Sequence, residues 1–188
     1  INAPLRGGKG TIYEGGVRVC AFATWPTHIA ASSKIDEPLH GVDWYPTLLK
    51  LGGASAEQPL APDGMDILPV LTDGATSPHD AILLVGSQPG KAAIRMGDWK
   101  LLLNANQQDA EEAPADPTRP SEKIELYNLA NDISEAKNLA ESEPQKVREL
   151  RARLNVFLQD AVKQGNPSPV NAAKSQKAKN RNKKKTAK

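Results

Sequence analysis

Ala92-Ala93-Ile94-Arg95-Met96-Gly97-Asp98-Trp99-Lys100-Leu101-Leu102-Leu103 sets the local architecture. Two strand-forming runs flank a Gly-Asp pair, the signature of a tight antiparallel hairpin. Upstream, Ala81 to Val85 reads as a further strand. Downstream, residues 105–122 are polar and proline-rich, which predicts a surface loop. Glu125 to Leu129 then supplies another strand, so about four antiparallel strands are expected. A helix is predicted from Pro144 to Gln164, where Val147, Leu150, Leu154, Phe157, Leu158 and Ala161 recur on one face and Gly165 stops it. That stripe suits one face of the small sheet. Burying about six such side chains contributes on the order of 10 kcal/mol before entropy is subtracted.

The N-terminal part reads differently. Residues 17–25, Val-Arg-Val-Cys-Ala-Phe-Ala-Thr-Trp, are continuously apolar enough to predict a strand buried on both faces, as in a parallel α/β sheet, with Pro26 ending it. A short helix is predicted from Val42 to Leu51. Asp43 serves as N-cap or first-turn acid, Pro46 lies early, Trp44, Leu48 and Leu51 form one face, and Gly52-Gly53 is the stop. Asp66 to Leu71 adds a turn or two of helix before Asp73-Gly74. No internal repeat is present.

The 188 residues suit one domain, or one plus a small appendage. Composition is that of a globular chain, 39% hydrophobic and 24% charged. Net charge is +2, yet eight of the 24 basic residues lie within 174–188, a stretch without acids. The other sixteen face 22 acidic residues, so a mildly acidic body carries a basic tail. Residues 166–188 lack apolar periodicity and are expected to be disordered. The tail suits weak, salt-sensitive polyanion binding or plain solubilisation, and without aromatics to stack on bases it excludes sequence-specific nucleic-acid recognition. No run of about 18 apolar residues exists to span a membrane. The single cysteine, Cys20, excludes an intrachain disulfide framework and a cysteine-rich zinc site; within a buried strand it is expected to be inert. The chain opens on Ile1 without a basic-then-apolar leader, which reads as a chain cut from something larger or processed.

Lys9 is the first candidate for chemistry. It stands between Gly7-Gly8 and Gly10, with Arg6 nearby. Glycines let backbone N–H groups approach an anion, and lysine adds a compact charge, so the loop suits sulfate or phosphate. It is not a P-loop, since Ala3 and Gly10 occupy the positions of the first glycine and the Ser/Thr. By pattern alone Lys9 reads first as a solvated turn residue, with anion binding second. Glu14 and Arg18 suit a structural ion pair. His28, His40 and His79 lack metal-motif spacing. His40 and Asp43, three apart, suit a capping contact. No G-x-S-x-G marks a nucleophile. Trp25, Trp44 and Trp99 fall in apolar elements and are expected in the core.

Taken together these segments resemble the C-terminal part of the type I (formylglycine-dependent) sulfatases, arylsulfatase-like members of the alkaline-phosphatase-like superfamily. N-A-P-L-R-G-G-K-G-T-I-Y-E-G-G-V-R-V-C-A-F-A-T-W-P from Asn2 is similar to the sulfatase pattern L-R-G-G-K-G-T-x-x-E-G-G-V-R-x-P. V-D-W-Y-P-T-L-L at 42–49, D-G-M-D-I-L-P-V-L at 63–71, R-M-G-D-W-K-L-L at 95–102 and E-L-Y-N-L-A-N-D at 125–132 follow in the same order. The likeness spans about residues 2–160, and Cys20 departs from it where the family usually has proline.

The resemblance implies an α/β fold, the last part of a large-domain sheet plus a C-terminal subdomain of about four antiparallel strands on a long helix. Residues 1–75 would end the large domain, 76–165 form the subdomain and 166–188 the basic tail. It implies that Lys9 contacts the sulfate of a sulfated small molecule or glycan, while Arg6, Glu14, Arg18, Asp43 and Asp63 shape loops. It implies a formylglycine nucleophile and calcium. The C/S-x-P-S/A-R motif that would give formylglycine does not occur, Cys20 being followed by Ala-Phe-Ala-Thr, and the family's calcium ligands lie upstream of the R-G-G-K segment. The chain thus reads as the last third of a sulfatase, inactive alone, from a periplasmic, secreted or lysosomal enzyme. Two other readings fit the residues, a phosphatase or phosphonate hydrolase of the same superfamily and a non-catalytic polyanion-binding fragment.

Overall fold

The computed structural model describes residues 2–55, 61–88, 90–105 and 122–161. The chain divides into two units, Ile1–Asn155 and Val156–Lys188. Of the second, only residues 156–161 are described. The elements in order are α1 (Glu14–Val17), a 3₁₀ turn (Gly41–Asp43), α2 (Trp44–Leu51), α3 (Leu68–Asp73), β1 (Ile82–Val85), β2 (Ala92–Met96), β3 (Trp99–Leu103), β4 (Ile124–Asn128) and α4 (Pro144–Asp160).

The four strands make one antiparallel sheet in sequence order. Met96 pairs with Trp99 across the Gly97-Asp98 turn, as the Gly-Asp signal predicts. The outer edge of β4 is covered without a further strand. Leu139 N–H donates to the Leu126 carbonyl at 2.8 Å, and the Asn138 side chain accepts from Leu126 N–H at 2.9 Å. Covering an edge in this way removes a template for association.

Strand alternation gives the sheet two unlike faces. One carries Ile94, Leu101 and Leu126, all fully buried. Helix α4 lies along it, with Leu150 and Leu154 fully buried and Lys146 Nζ 5.8 Å above the Trp99 ring. Arg153 and Arg151 fasten the helix to Asp80 and Glu122, ahead of β1 and β4. The other face carries Ala93 and Leu102, but also Lys100, Glu125 and Tyr127. Against it pack Ile12, Tyr13, Ala105 and Leu129.

Several expectations are corrected. Residues 17–25 form no strand: Val17 ends α1, and residues 18–25 carry no regular secondary structure. Val19 and Phe22 are 81% and 92% exposed and Cys20 is exposed, so the apolar run is not buried and the thiol is not sheltered. No described strand lies beside this segment to pair its N–H and C=O groups, and a fully buried strand needs such neighbours on both sides. In α2 the buried residues are Pro46 and Thr47, not the face of Trp44, Leu48 and Leu51; Leu48 and Leu51 are exposed. Trp25, Trp44 and Trp99 are half-buried rather than core. Most of the expected loop at 105–122, the end of the predicted helix and the tail lie outside the described residues.

Candidate functional site

The loop bearing Lys9 is built on its own turn chemistry. Thr11 N–H donates to Gly8 O at 3.0 Å, and the Thr11 hydroxyl donates to the same carbonyl at 2.8 Å. Gly10, at φ +88°, takes a conformation that side chains avoid. The loop lies directly on α1, where a Cβ at Gly16 would stand 2.2 Å from Thr11 O. That contact admits no side chain, which accounts for the Glu-Gly-Gly after Tyr13. Lys9 itself is exposed at the loop tip and makes no hydrogen bond or ion pair with any described residue. Its ammonium is available to an anion.

Beneath the loop lies a network of buried charge. Lys100 Nζ is fully buried, 2.8 Å from Glu14 Oε1 and 2.9 Å from Glu135 Oε1. The Glu135 contact lies off the hydrogen-bond axis, so it is an ion pair without a directed bond. Glu135 Oε2 instead accepts from Glu14 N–H at 2.7 Å. Arg18 Nε stands 3.7 Å from Glu14 Oε2, the structural pairing expected for those two residues.

Arg6 forms the neighbouring node. Its guanidinium donates to Tyr127 Oη at 2.8 Å and to Glu135 O at 2.9 Å, approaches Glu125 Oε2 at 3.3 Å, and covers the Tyr13 ring at 4.0 Å. The hydroxyls of Tyr13 and Tyr127 both donate to Glu125, at 2.8 Å to Oε1 and 2.5 Å to Oε2. Burial, then the bonded Glu125 carboxylate, push both phenols well above their ordinary pKa, so both remain donors. Burial also raises the Glu135 carboxyl, with Lys100 pulling the other way.

A second polar knot lies apart from Lys9. Asp43, fully buried, accepts from His40 N–H at 2.7 Å, from Met65 N–H at 3.0 Å and from His79 Nε2 at 2.8 Å. His40 Nδ1 in turn accepts from Val42 N–H, which completes a capping box. The capping role expected of His40 and Asp43 is thus present, and His79 is an addition. His28 stacks on Trp25 at 3.8 Å and is exposed.

Lys100, Glu125, Tyr127 and Glu135 are functional-site residues that the sequence reading does not single out, and the pairing of His79 with Asp43 is likewise new. Lys100 and Glu125 alternate with leucines, which reads as a solvated strand face. The one available signal was a lysine and an acid at staggered positions on neighbouring strands, next to a glutamate in the Lys9 segment. Among the described residues no three His, Cys, Asp or Glu side chains gather to hold a metal ion.

No family model matches the chain. Curated proteins do. A sulfatase of Formosa agariphila is 34% identical over 158 residues, covering 82% of this chain and 28% of that protein. Human arylsulfatase A is 36% identical over 146 residues, covering 72% of this chain and 28% of its own length. Among solved structures, Ps i-CgsB in complex with k-i-k-neocarrahexaose matches with a TM-score of 0.66 and 29% identity over 84% of this chain and 32% of that one. The chain therefore spans less than a third of the length of the relatives it matches.

Proposed function

This chain is homologous to the sulfatases and shares their fold, and from that premise we propose that it is the Lys9-bearing part of an enzyme that hydrolyses sulfate esters. The observation that carries the reading is an exposed lysine, unpaired among the described residues, on a glycine loop braced from below by buried charge. Lys9 binds the sulfate group: its compact ammonium meets the sulfuryl oxygens and stabilises the negative charge that grows on the leaving oxygen as the S–O bond breaks.

The neocarrahexaose held by one solved relative supports a sulfated glycan as substrate class. The family's formylglycine would supply the nucleophile and its calcium would polarise the sulfate. The residues of this chain fit neither, since the modification motif does not occur and no described cluster suits a metal, so no step is derived through either group. Both would come from residues other than these 188. Such an enzyme belongs in a periplasm, a lysosome or the exterior. Among the described residues no helix is long and apolar enough to cross a membrane.

The test is Lys9→Ala in the complete enzyme, assayed on an aryl sulfate and on a sulfated oligosaccharide. Turnover is expected to fall at least about tenfold, roughly 1.4 kcal/mol of transition-state stabilisation. Unchanged kinetics on both would refute the assignment.

A further inference from the structure

A lysine at the tip of a glycine loop binds an anion well only if the loop is held, and the means of holding it is visible. The loop runs from Arg6 to Glu14, the first residue of α1. These ends are joined to each other, Gly15 N–H donating to Arg6 O at 2.8 Å. Each is also tied to Glu135. The Glu135 carbonyl accepts from the Arg6 guanidinium, and its carboxylate accepts from Glu14 N–H. Glu135 thus grips both ends of the loop. It does so at φ +52°, a left-handed conformation that costs a non-glycine residue and points main chain and side chain at different partners. Lys100 fixes that carboxylate and holds Glu14 Oε1 as well. Apolar packing of similar volume often stabilises a fold as well as a buried ion triad does, so stability gives little reason for this arrangement, whereas fixed geometry does.

We infer that Glu135, held by Lys100, is a positioning residue for Lys9: it clamps both ends of the loop and so sets where the sulfate-binding ammonium stands, without touching substrate. The inference rests on the sulfate-binding reading of Lys9. Lys9 is 126 positions away in sequence, so the coupling runs through the sheet face rather than along the chain.

A double-mutant cycle in the complete enzyme tests it. Glu135→Gln keeps an acceptor for Glu14 N–H but removes the charge that Lys100 holds. With Lys9 present it is expected to lower kcat/KM about tenfold, because a displaced loop misplaces the cation; in the Lys9→Ala background the same change should cost less than about twofold. Equal losses in both backgrounds overturn the positioning role and leave the Lys9 reading intact. A Lys9→Ala enzyme with unchanged kinetics overturns that reading instead. Should Glu135→Gln fail to fold, Glu135→Asp retains the charge and withdraws the carboxylate by one methylene, and the same cycle applies. Amide exchange gives an independent readout. Thr11 and Gly15, whose N–H groups close the loop, are expected to exchange faster in the variant while α4 does not. Equal acceleration in α4 would mean global loosening and would refute the clamp.

Discussion

The two faces of the four-stranded sheet do different work with the same backbone. The face under α4 is a layer of Ile94, Leu101 and Leu126 against Leu150 and Leu154, all fully buried. Its contacts are non-directional, and other aliphatic side chains of similar volume would serve. The face under the Lys9 loop buries Lys100, Glu125 and Glu135 beside Ala93 and Leu102. There most contacts are directed bonds between charged or polar groups, and removing one partner strands the other's charge. The difference teaches that burial on the first face supplies stability, while burial on the second spends part of it on fixing a loop.

The most severe way to break this comparison is Lys100→Met. Length and approximate volume are kept, but the charge is lost, and Glu14 and Glu135 are left facing each other in a buried site without their cation. A loss of about 4 kcal/mol is expected in chemical denaturation, in the range for removing one partner of a buried pair. A loss below about 1 kcal/mol would show that the charges are solvated, and the two faces would cease to differ.

Next in size is Leu150→Ala. Removing a fully buried aliphatic side chain from the α4 face is expected to cost about 3 kcal/mol. Amide exchange in the Lys9 loop should be untouched. Combined with Lys100→Met the losses should add to within about 0.5 kcal/mol, because the sites share no partner. A larger coupling term would make the sheet one cooperative layer and sharpen the comparison against us.

These faces were unequally legible in the sequence. The hairpin around Gly97-Asp98 and the start of α4 at Pro144 rest on local rules, a turn dipeptide and an apolar period, and both stand where those rules put them. The Gly-Gly-Lys-Gly stretch was legible as a turn with an exposed lysine, while its anion-binding reading rests on the family resemblance rather than on the pattern. Residues 17–25 failed because apolarity tells what a segment would bury, not whether a neighbouring strand exists to bury it. Lys100 failed in the opposite sense. In Trp-Lys-Leu-Leu-Leu a lysine reads as solvent-facing, and only partners 86 positions upstream and 35 downstream make its burial tolerable. Ion pairs at such separations leave no period in the chain. The clamp at Glu135 also depends on a left-handed backbone that no glycine announces.

The smallest expected effect is the one that most cleanly separates the faces, because only one of them titrates. Burial raises the Glu135 carboxyl above its ordinary pKa, and Lys100 offsets this in part. The folded state then holds that proton more tightly than the unfolded chain does. Its contribution is fully present below the ordinary carboxylate range and is lost as pH rises through the raised value, so stability falls with pH across that window. Asp132 and Asp66 act in the other sense. Backbone N–H groups of Lys137 and Ala136 hold Asp132 low, and at Asp66 burial is outweighed by Lys50 and the Leu68 N–H. Their contributions are lost as pH falls through their lowered values, below the window of Glu135. Unfolding free energies of the wild type, Glu135→Gln and Leu150→Ala, measured across both windows, should therefore diverge in shape. Leu150→Ala should displace the whole curve downward in parallel. Glu135→Gln should lack the descending limb just above the ordinary carboxylate range, so that it gains on the wild type as pH rises there. A Glu135→Gln curve parallel to the wild type would mean that the clamp carboxylate meets water in the folded state. The charged face would then hold its loop by packing alone, as the other face holds its helix.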